Sequence, residues 1–268
     1  MRSLAIQVLI GALVAVLVAT LLLYTQQRRI LFPAPGDYPT APPPGYRLVH
    51  TRTGDGLRLS AFYRAAAEGK KTLVFFHGNG DNMLGAIEAT RGPAAAGHGV
   101  MLVEYRGYAG NPGVPGEAGF YRDGEAAMRW LAAEGIAARD IVVVGNSMGS
   151  GPATEVATRH RVAALILVSG FSSLPDVVRS HVRLAPRWLV RDRFDNAAKL
   201  AEVAAPVFLL HGDADRVVPS SNLRRLQQAR PDATALLVPG AGHELVYTAA
   251  GQAVLARWVD AVAPESAG

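Results

Sequence analysis

The 268-residue chain contains no cysteine, and that absence removes disulfides, thiolate metal sites, cysteine lipidation and a cysteine nucleophile together. It leaves the compartment open. Charge is sparse as well: Asp, Glu, Lys and Arg make up 18% of the chain, the formal net charge is +5, and no block of five basic residues occurs. Nucleic acid is therefore not an expected partner, while a mild basic tilt suits an anionic membrane surface. The chain also lacks a ligand cluster with metal-binding spacing and a glycine loop built for phosphate, so neither a metal nor a cofactor is expected.

What the chain does have begins at its start. From Leu4 to Tyr24 no residue is charged and only Gln7 and Thr20 are polar in an Ala/Val/Leu/Ile run. At about 1.5 Å per residue, such a helix matches a hydrocarbon layer roughly 30 Å thick. A cleaved signal peptide is the competing reading, but its apolar core is usually only about 7–15 residues and ends in a small-residue cleavage site, which is not evident before Gln26. A retained single-pass membrane anchor over residues 1–31 is the expectation. Arg2 and the α-amine roughly balance Arg28 and Arg29 across the span, and the domain that follows is read as lying outside the cytoplasm.

Residues 32–45, FPAPGDYPTAPPPG, carry six prolines, which disfavour helix. They read either as a semi-rigid spacer or as a loop lying on the domain. Next come YRLVHTR and LRLSAFYR around Gly54-Asp55-Gly56, a hairpin signal. Beyond it, short apolar runs alternate with helix-length segments: TLVFFH (72–77), GVMLVEY (99–105), IVVVG (141–145), AALILVS (163–169), APVFLLH (205–211) and TALLVP (234–239). Continuous apolar strands separated by helices indicate an α/β fold with a doubly wound, mostly parallel sheet buried on both faces. One domain is expected over 46–264, with the terminal PESAG frayed. The interval from Ser169 to Pro206 is too long for a plain crossover, and its mixture of arginines with Val, Leu and Trp188 predicts a small helical cap over about 171–200.

Within IVVVGNSMGSG, strand Ile141–Val144 runs into Gly145-Asn146-Ser147-Met148-Gly149, and a helical stretch with Pro152 near its start follows. Strand, tight turn and helix in that order turn a weak G-x-S-x-G match into a nucleophile elbow. The turn strains the serine backbone, and a β-carbon on Gly145 or Gly149 would strike the neighbouring strand or helix. Ser147 then faces the space beyond the strands' carboxyl ends, where the next backbone N–H, that of Met148, and a helix N-terminus favour negative charge on a bound carbonyl oxygen. A serine hydroxyl needs a base, and the base needs an orienting acid. GDADRVVP leaves Asp213 and Asp215 at one strand's end, and PGAGHE puts His243 in a glycine-flanked loop before a helix expected near Leu245.

Ser, Asp, His is the order of the α/β hydrolases. The chain resembles their small single-pass membrane branch, related to the α/β-hydrolase-domain proteins and the yeast bud-emergence suppressor, which includes serine aminopeptidase-like relatives. Seven stretches carry the resemblance: QRRILFPAPGDYP, HGNGDN, EYRGYAGNPGVPGE, GNSMGSG, RDRFDN, HGDADRVVP and GAGHE. It implies Asp215 as the acid, with Asp213 a turn residue, and the N–H of Asn79 as the second oxyanion donor beside Met148, Gly80 being the alternative. It also implies a loop-organising role for His77, whereas His50, His98, His160, His181 and His211 have no constellation and default to structural or surface roles. Where the family more often has DYRGYG-x-S, this chain has EYRGYAGNPG, so pocket shape near Pro115 is open. The activity implied is cleavage of an ester or thioester, with acyl or lipid-like substrates favoured by the anchor. A peptidase or amidase on the same triad is the rival, and a non-catalytic membrane binding module is a more distant one. Arg179, Arg183, Arg187, Arg191 and Arg193 of the cap read either as contacts to anionic headgroups or as solvated partners of Asp176, Asp192 and Asp195.

Overall fold

The computed structural model describes residues 2–34, 36 and 41–262; spacer positions 35 and 37–40, and the C-terminal stretch 263–268 containing PESAG, lie outside the described residues. Helix α1 (Arg2–Leu31) leads into β1 (Arg47–Arg52) and β2 (Arg58–Arg64). Strands and helices then alternate through β3 (Thr72–Phe76), α2 (Met83–Ala89), α3 (Arg91–Ala95), β4 (Gly99–Val103), α4 (Glu117–Ala133), β5 (Ile141–Asn146), α5 (Ser150–Arg159) and β6 (Ala164–Val168). After α6 (Leu174–His181) and α7 (Asn196–Leu200) come β7 (Val207–Gly212), α8 (Ser221–Ala229), β8 (Thr234–Val238) and α9 (Ala249–Ala261).

One sheet holds all eight strands in the order β1-β2-β4-β3-β5-β6-β7-β8. The β1–β2 and β2–β4 pairs are antiparallel and the rest parallel. Every residue of β3, β4, β5 and β6 is buried, as continuous apolar runs require when helices cover both faces. The side chains divide by the period of two. Val74, Phe76, Val143 and Leu165 pack with Phe120, Leu131 and Val156 of α4 and α5, while Leu73, Phe75, Val144 and Ile166 pack with Met83, Ala86 and Leu255 of α2 and α9. Each such Val, Leu or Phe contributes roughly 1.5–3 kcal/mol through burial.

The large apolar side chains of α1 from Leu4 to Leu23 stand exposed, and the helix is long and apolar enough to cross a bilayer. Its last turns dock on the domain. The Gln27 amide donates to the Leu189 carbonyl at 3.1 Å and accepts from the Arg191 N–H at 2.9 Å. Arg28 forks onto the buried carboxylate of Asp192 at 2.7 and 2.8 Å, and Asp192 also accepts from the Glu117 N–H at 3.0 Å. Phe32, the first residue of the proline-rich stretch, is buried edge-on to Phe120 at 5.4 Å and Phe194 at 6.3 Å. An aromatic ring next to an exposed span finds its lowest free energy in the domain core, so this end of the stretch is packed.

Between β6 and β7 the alternation breaks into α6, a short 3₁₀ turn at Arg187–Leu189, and α7. Ser173 caps α6 by accepting from the Asp176 N–H, and Pro175 occupies its first turn, both local signals written in SSLPD.

Candidate active site

β5 ends at Asn146, and the chain turns through Ser147 at φ +51°, a left-handed conformation rare for a non-glycine residue. The flanking glycines are steric requirements. A β-carbon on Gly145 would sit 2.6 Å from the Gly149 carbonyl oxygen, and one on Gly149 would sit 2.0 Å from the carbonyl oxygen of Phe76 in β3. With that closeness secured, the hydroxyl of Ser147 is aimed past the carboxyl end of β5, and α5 begins three residues later.

β7 and β8 deliver the other two groups. The His243 Nε2 lies 3.0 Å from Ser147 Oγ, and its Nδ1 lies 2.8 Å from Asp215 Oδ2. Nδ1–H donates to the carboxylate, which leaves Nε2 free to accept from the hydroxyl. The other oxygen of Asp215 accepts the N–H groups of Val217 at 2.9 Å and Val218 at 2.8 Å. Burial alone would raise the Asp215 pKa, but the close approach of the His211 ring and hydrogen bonds from His243 and the Val218 N–H outweigh it and hold the carboxyl well below the usual range. Asp213 takes no part: its exposed carboxylate accepts from the Gly240 N–H at 2.7 Å and ties a turn. His243 opens a 3₁₀ turn, His243–Tyr247, and the helix expected near Leu245 starts at Ala249.

The loop after β3 forms the facing wall. Asn79 lines the cleft, and a β-carbon on neighbouring Gly78 would come within 3.7 Å of Ser147 Cβ. Both ring nitrogens of buried His77 face acceptors, the Gly78 carbonyl at 2.8 Å and Glu104 at 2.9 Å, an arrangement that favours the doubly protonated ring. Burial opposes that charge, yet the Glu104 carboxylate keeps the His77 pKa above its ordinary value. The Gly78 carbonyl also accepts from the Asp81 N–H at 3.3 Å, which fixes the plane of the Gly78–Asn79 peptide. In a trans peptide the Asn79 N–H then points away from His77. The Asn79 side chain is held too, donating to the Leu31 carbonyl at the end of α1 and accepting from the Tyr108 hydroxyl at 3.0 Å. Glu104, the first residue of EYRGYAGNPG, also accepts the N–H groups of Met83 and Tyr105, and the ring of Pro115 packs close against Gly107 at φ +76°.

These groups surround a cleft of about 440 Å³, lined among others by Ser147, His243, Asn79, Val217 and Tyr247. A larger concavity of about 800 Å³ lies at the opposite, amino ends of the strands, by Ala138, Ala163 and Pro206, and holds no comparable chemistry. Among the described residues no group of three His, Asp or Glu could hold a metal ion.

Three features of the site are not legible in local sequence. His211 is buried with Nε2 3.4 Å from Asp215 Oδ2 while donating to the Val218 carbonyl at 2.8 Å, so it steadies the loop after β7; its spacing of four from Asp215 was the available signal. Tyr247 lines the cleft and donates to Asp81, and burial raises its pKa. The Oδ1 of Asn146, just before Ser147, is buried without a partner among the described residues.

A family model described as the alpha/beta hydrolase fold matches residues 71–204. An uncharacterized protein of Mycobacterium tuberculosis is 36% identical over 244 residues, covering 88% of this chain and 86% of its own. Alpha/beta hydrolase domain-containing protein 17B of Homo sapiens is 31% identical, over 72% of this chain and 67% of its own. Among solved structures, the Pyrococcus furiosus esterase Pf2001 superposes with a TM-score of 0.67 at 17% identity, covering 84% of this chain and 96% of that one. That likeness concerns the fold.

Proposed function

The chain belongs to the α/β-hydrolase family, and from that membership we propose that it is a membrane-tethered serine hydrolase cleaving carboxylic ester or thioester bonds of acyl or lipid-like substrates. The observation that carries this reading is the continuous relay from Ser147 Oγ through His243 to Asp215 at 3.0 and 2.8 Å. His243 Nε2 takes the hydroxyl proton as Ser147 attacks the carbonyl carbon. Asp215, kept ionised, stabilises the imidazolium that forms and holds its tautomer. The oxyanion receives the N–H groups of Met148 and Asn79, and each such preorganised donor is worth about 2.7–4 kcal/mol in the transition state. Collapse of the tetrahedral intermediate returns the proton from His243 to the leaving alcohol or thiol. Water, activated by the same imidazole, then releases the acid and restores Ser147.

Support for acyl substrates comes from α1. Its exposed apolar surface suits a bilayer anchor, and its end is one hydrogen bond from Asn79 in the cleft, so the tether keeps the catalytic groups close to lipid and raises the effective concentration of acyl chains.

The test is fluorophosphonate labelling of the full-length protein in membranes. Wild type is expected to label, Ser147→Ala to lose labelling, and His243→Ala to fall at least ~100-fold. Persistent labelling of Ser147→Ala would refute the nucleophile. Rates on acyl esters of graded chain length, set against aminoacyl amides, separate the esterase reading from a peptidase one.

A further inference from the structure

Three large apolar side chains of the cap stand in solvent within seven residues: Val182 is 57% exposed, Leu184 94% and Trp188 73%. Arginines surround them. Arg187 pairs with Asp176, and Arg191 lies over the Tyr24 ring of α1, 5.3 Å from its centroid. Arg179, Arg183 and Arg193 pair with no carboxylate among the described residues. Leu, Val and Trp interleaved with Arg is the composition of a membrane interface: the indole and aliphatic groups enter the headgroup boundary while guanidinium groups meet phosphates.

Position agrees with composition. The residues immediately after the patch, Leu189 and Arg191, exchange hydrogen bonds with Gln27, and Tyr24 beneath Arg191 closes the apolar run of α1. The patch is thus continuous with the point where the helix leaves the hydrocarbon. At its other side the exposed His181 donates from Nε2 to the Val217 carbonyl at 2.8 Å, and Val217, half exposed, lines the cleft with Ser147 and His243.

We infer that the cap segment Val182–Trp188 dips into the leaflet surface beside α1, so that its occupant is the lipid bilayer and acyl chains reach Ser147 along the cap past Val217. The inference rests on the reading of α1 as a retained span and deepens the substrate class proposed above.

The experiment uses full-length protein in phosphatidylcholine–phosphatidylserine vesicles carrying doxyl-labelled lipid as a quencher. Tryptophan fluorescence is expected to be quenched in wild type and to lose that quenching in Trp188→Phe, because Trp258 is buried and Trp130 packs against Tyr63 in the domain. The double variant Leu184→Ser/Trp188→Ser is expected to hydrolyse a soluble short-chain ester within about twofold of wild type while losing roughly tenfold on a long-chain ester embedded in the vesicle. An unquenched Trp188 overturns the inference and leaves the patch to a protein partner; equal effects on both substrates also overturn it. Extraction of the chain by alkaline carbonate removes the span and the inference together. Quenching needs no turnover, so a failure of the Ser147 assignment shows separately, as fluorophosphonate labelling that is absent from wild type or persists in Ser147→Ala, with quenching intact.

Discussion

Ser147 sits at φ +51°, where a side chain with a β-carbon crowds its own backbone by roughly 1–2 kcal/mol. Comparing Ser147→Gly with Ser147→Ala isolates that strain, since both variants lose the hydroxyl and its hydrogen bond to His243. Glycine escapes the steric term but gains unfolded-state freedom that costs about 0.4–1 kcal/mol. The balance favours Ser147→Gly over Ser147→Ala by about 0.5–1 kcal/mol, or roughly 2–4 °C in Tm per kcal/mol for a domain of this size. At an ordinary exposed helical position the sign is opposite: Ala253→Gly in α9 is expected to cost about 1 kcal/mol. Thermal and urea unfolding of the full-length variants in detergent, followed by circular dichroism, reads both differences, and neither residue-147 variant retains hydrolysis. Should Ser147→Ala equal or exceed Ser147→Gly in stability, the elbow stores no strain. The reasoning about Gly145 and Gly149 as the groups that enforce it would then fail.

Replacing Asp215 by Asn is expected to lower kcat by roughly 10⁴-fold, because the amide no longer imposes the Nδ1–H tautomer on His243. The same variant tests linkage: the Asp215 pKa is depressed in the fold and near 3.9 when unfolded, so its carboxylate stabilises the protein above about pH 4 and that contribution is lost as pH falls. Urea midpoints of Asp215→Asn should accordingly depend less steeply on pH below about 4 than those of wild type. Arg28→Ala strands the buried Asp192 carboxylate with only the Glu117 N–H and is expected to cost about 2 kcal/mol in urea unfolding. Adding Asp192→Asn should recover part of that loss; a further loss would argue against the ion pair.

Much of this molecule is written locally. The apolar runs from Thr72 to Val168 reappear as the buried strands β3 to β6 because a short segment with no polar face is satisfied inside a sheet covered on both sides, whereas TALLV forms β8 at the sheet's partly exposed edge. Ser173 and Pro175 announce α6 by the same short-range logic, as Gly145 and Gly149 announce the elbow. Other features had no local signature. Asp213 and Asp215 stand two residues apart at one strand's end, and residue type alone does not separate them; the loop after β7 buries one beneath His243 and leaves the other outside tying Gly240. Nor does anything in QQRRILF reveal that Gln27, Arg28 and Phe32 turn inward to grip Leu189, Asp192 and Phe120.

The sequence by itself determined the long apolar helix, the wound sheet and the steric frame around Ser147, since periodicity and backbone crowding act between neighbours in the chain. Only the tertiary structure shows how Asp215, the acid that the family resemblance implied, reaches His243, which lies 96 residues from Ser147, and how the end of α1 braces the loop of Asn79. Those contacts depend on where separate strands stop and which way their loops fold over one another, and that is set by packing across the whole sheet.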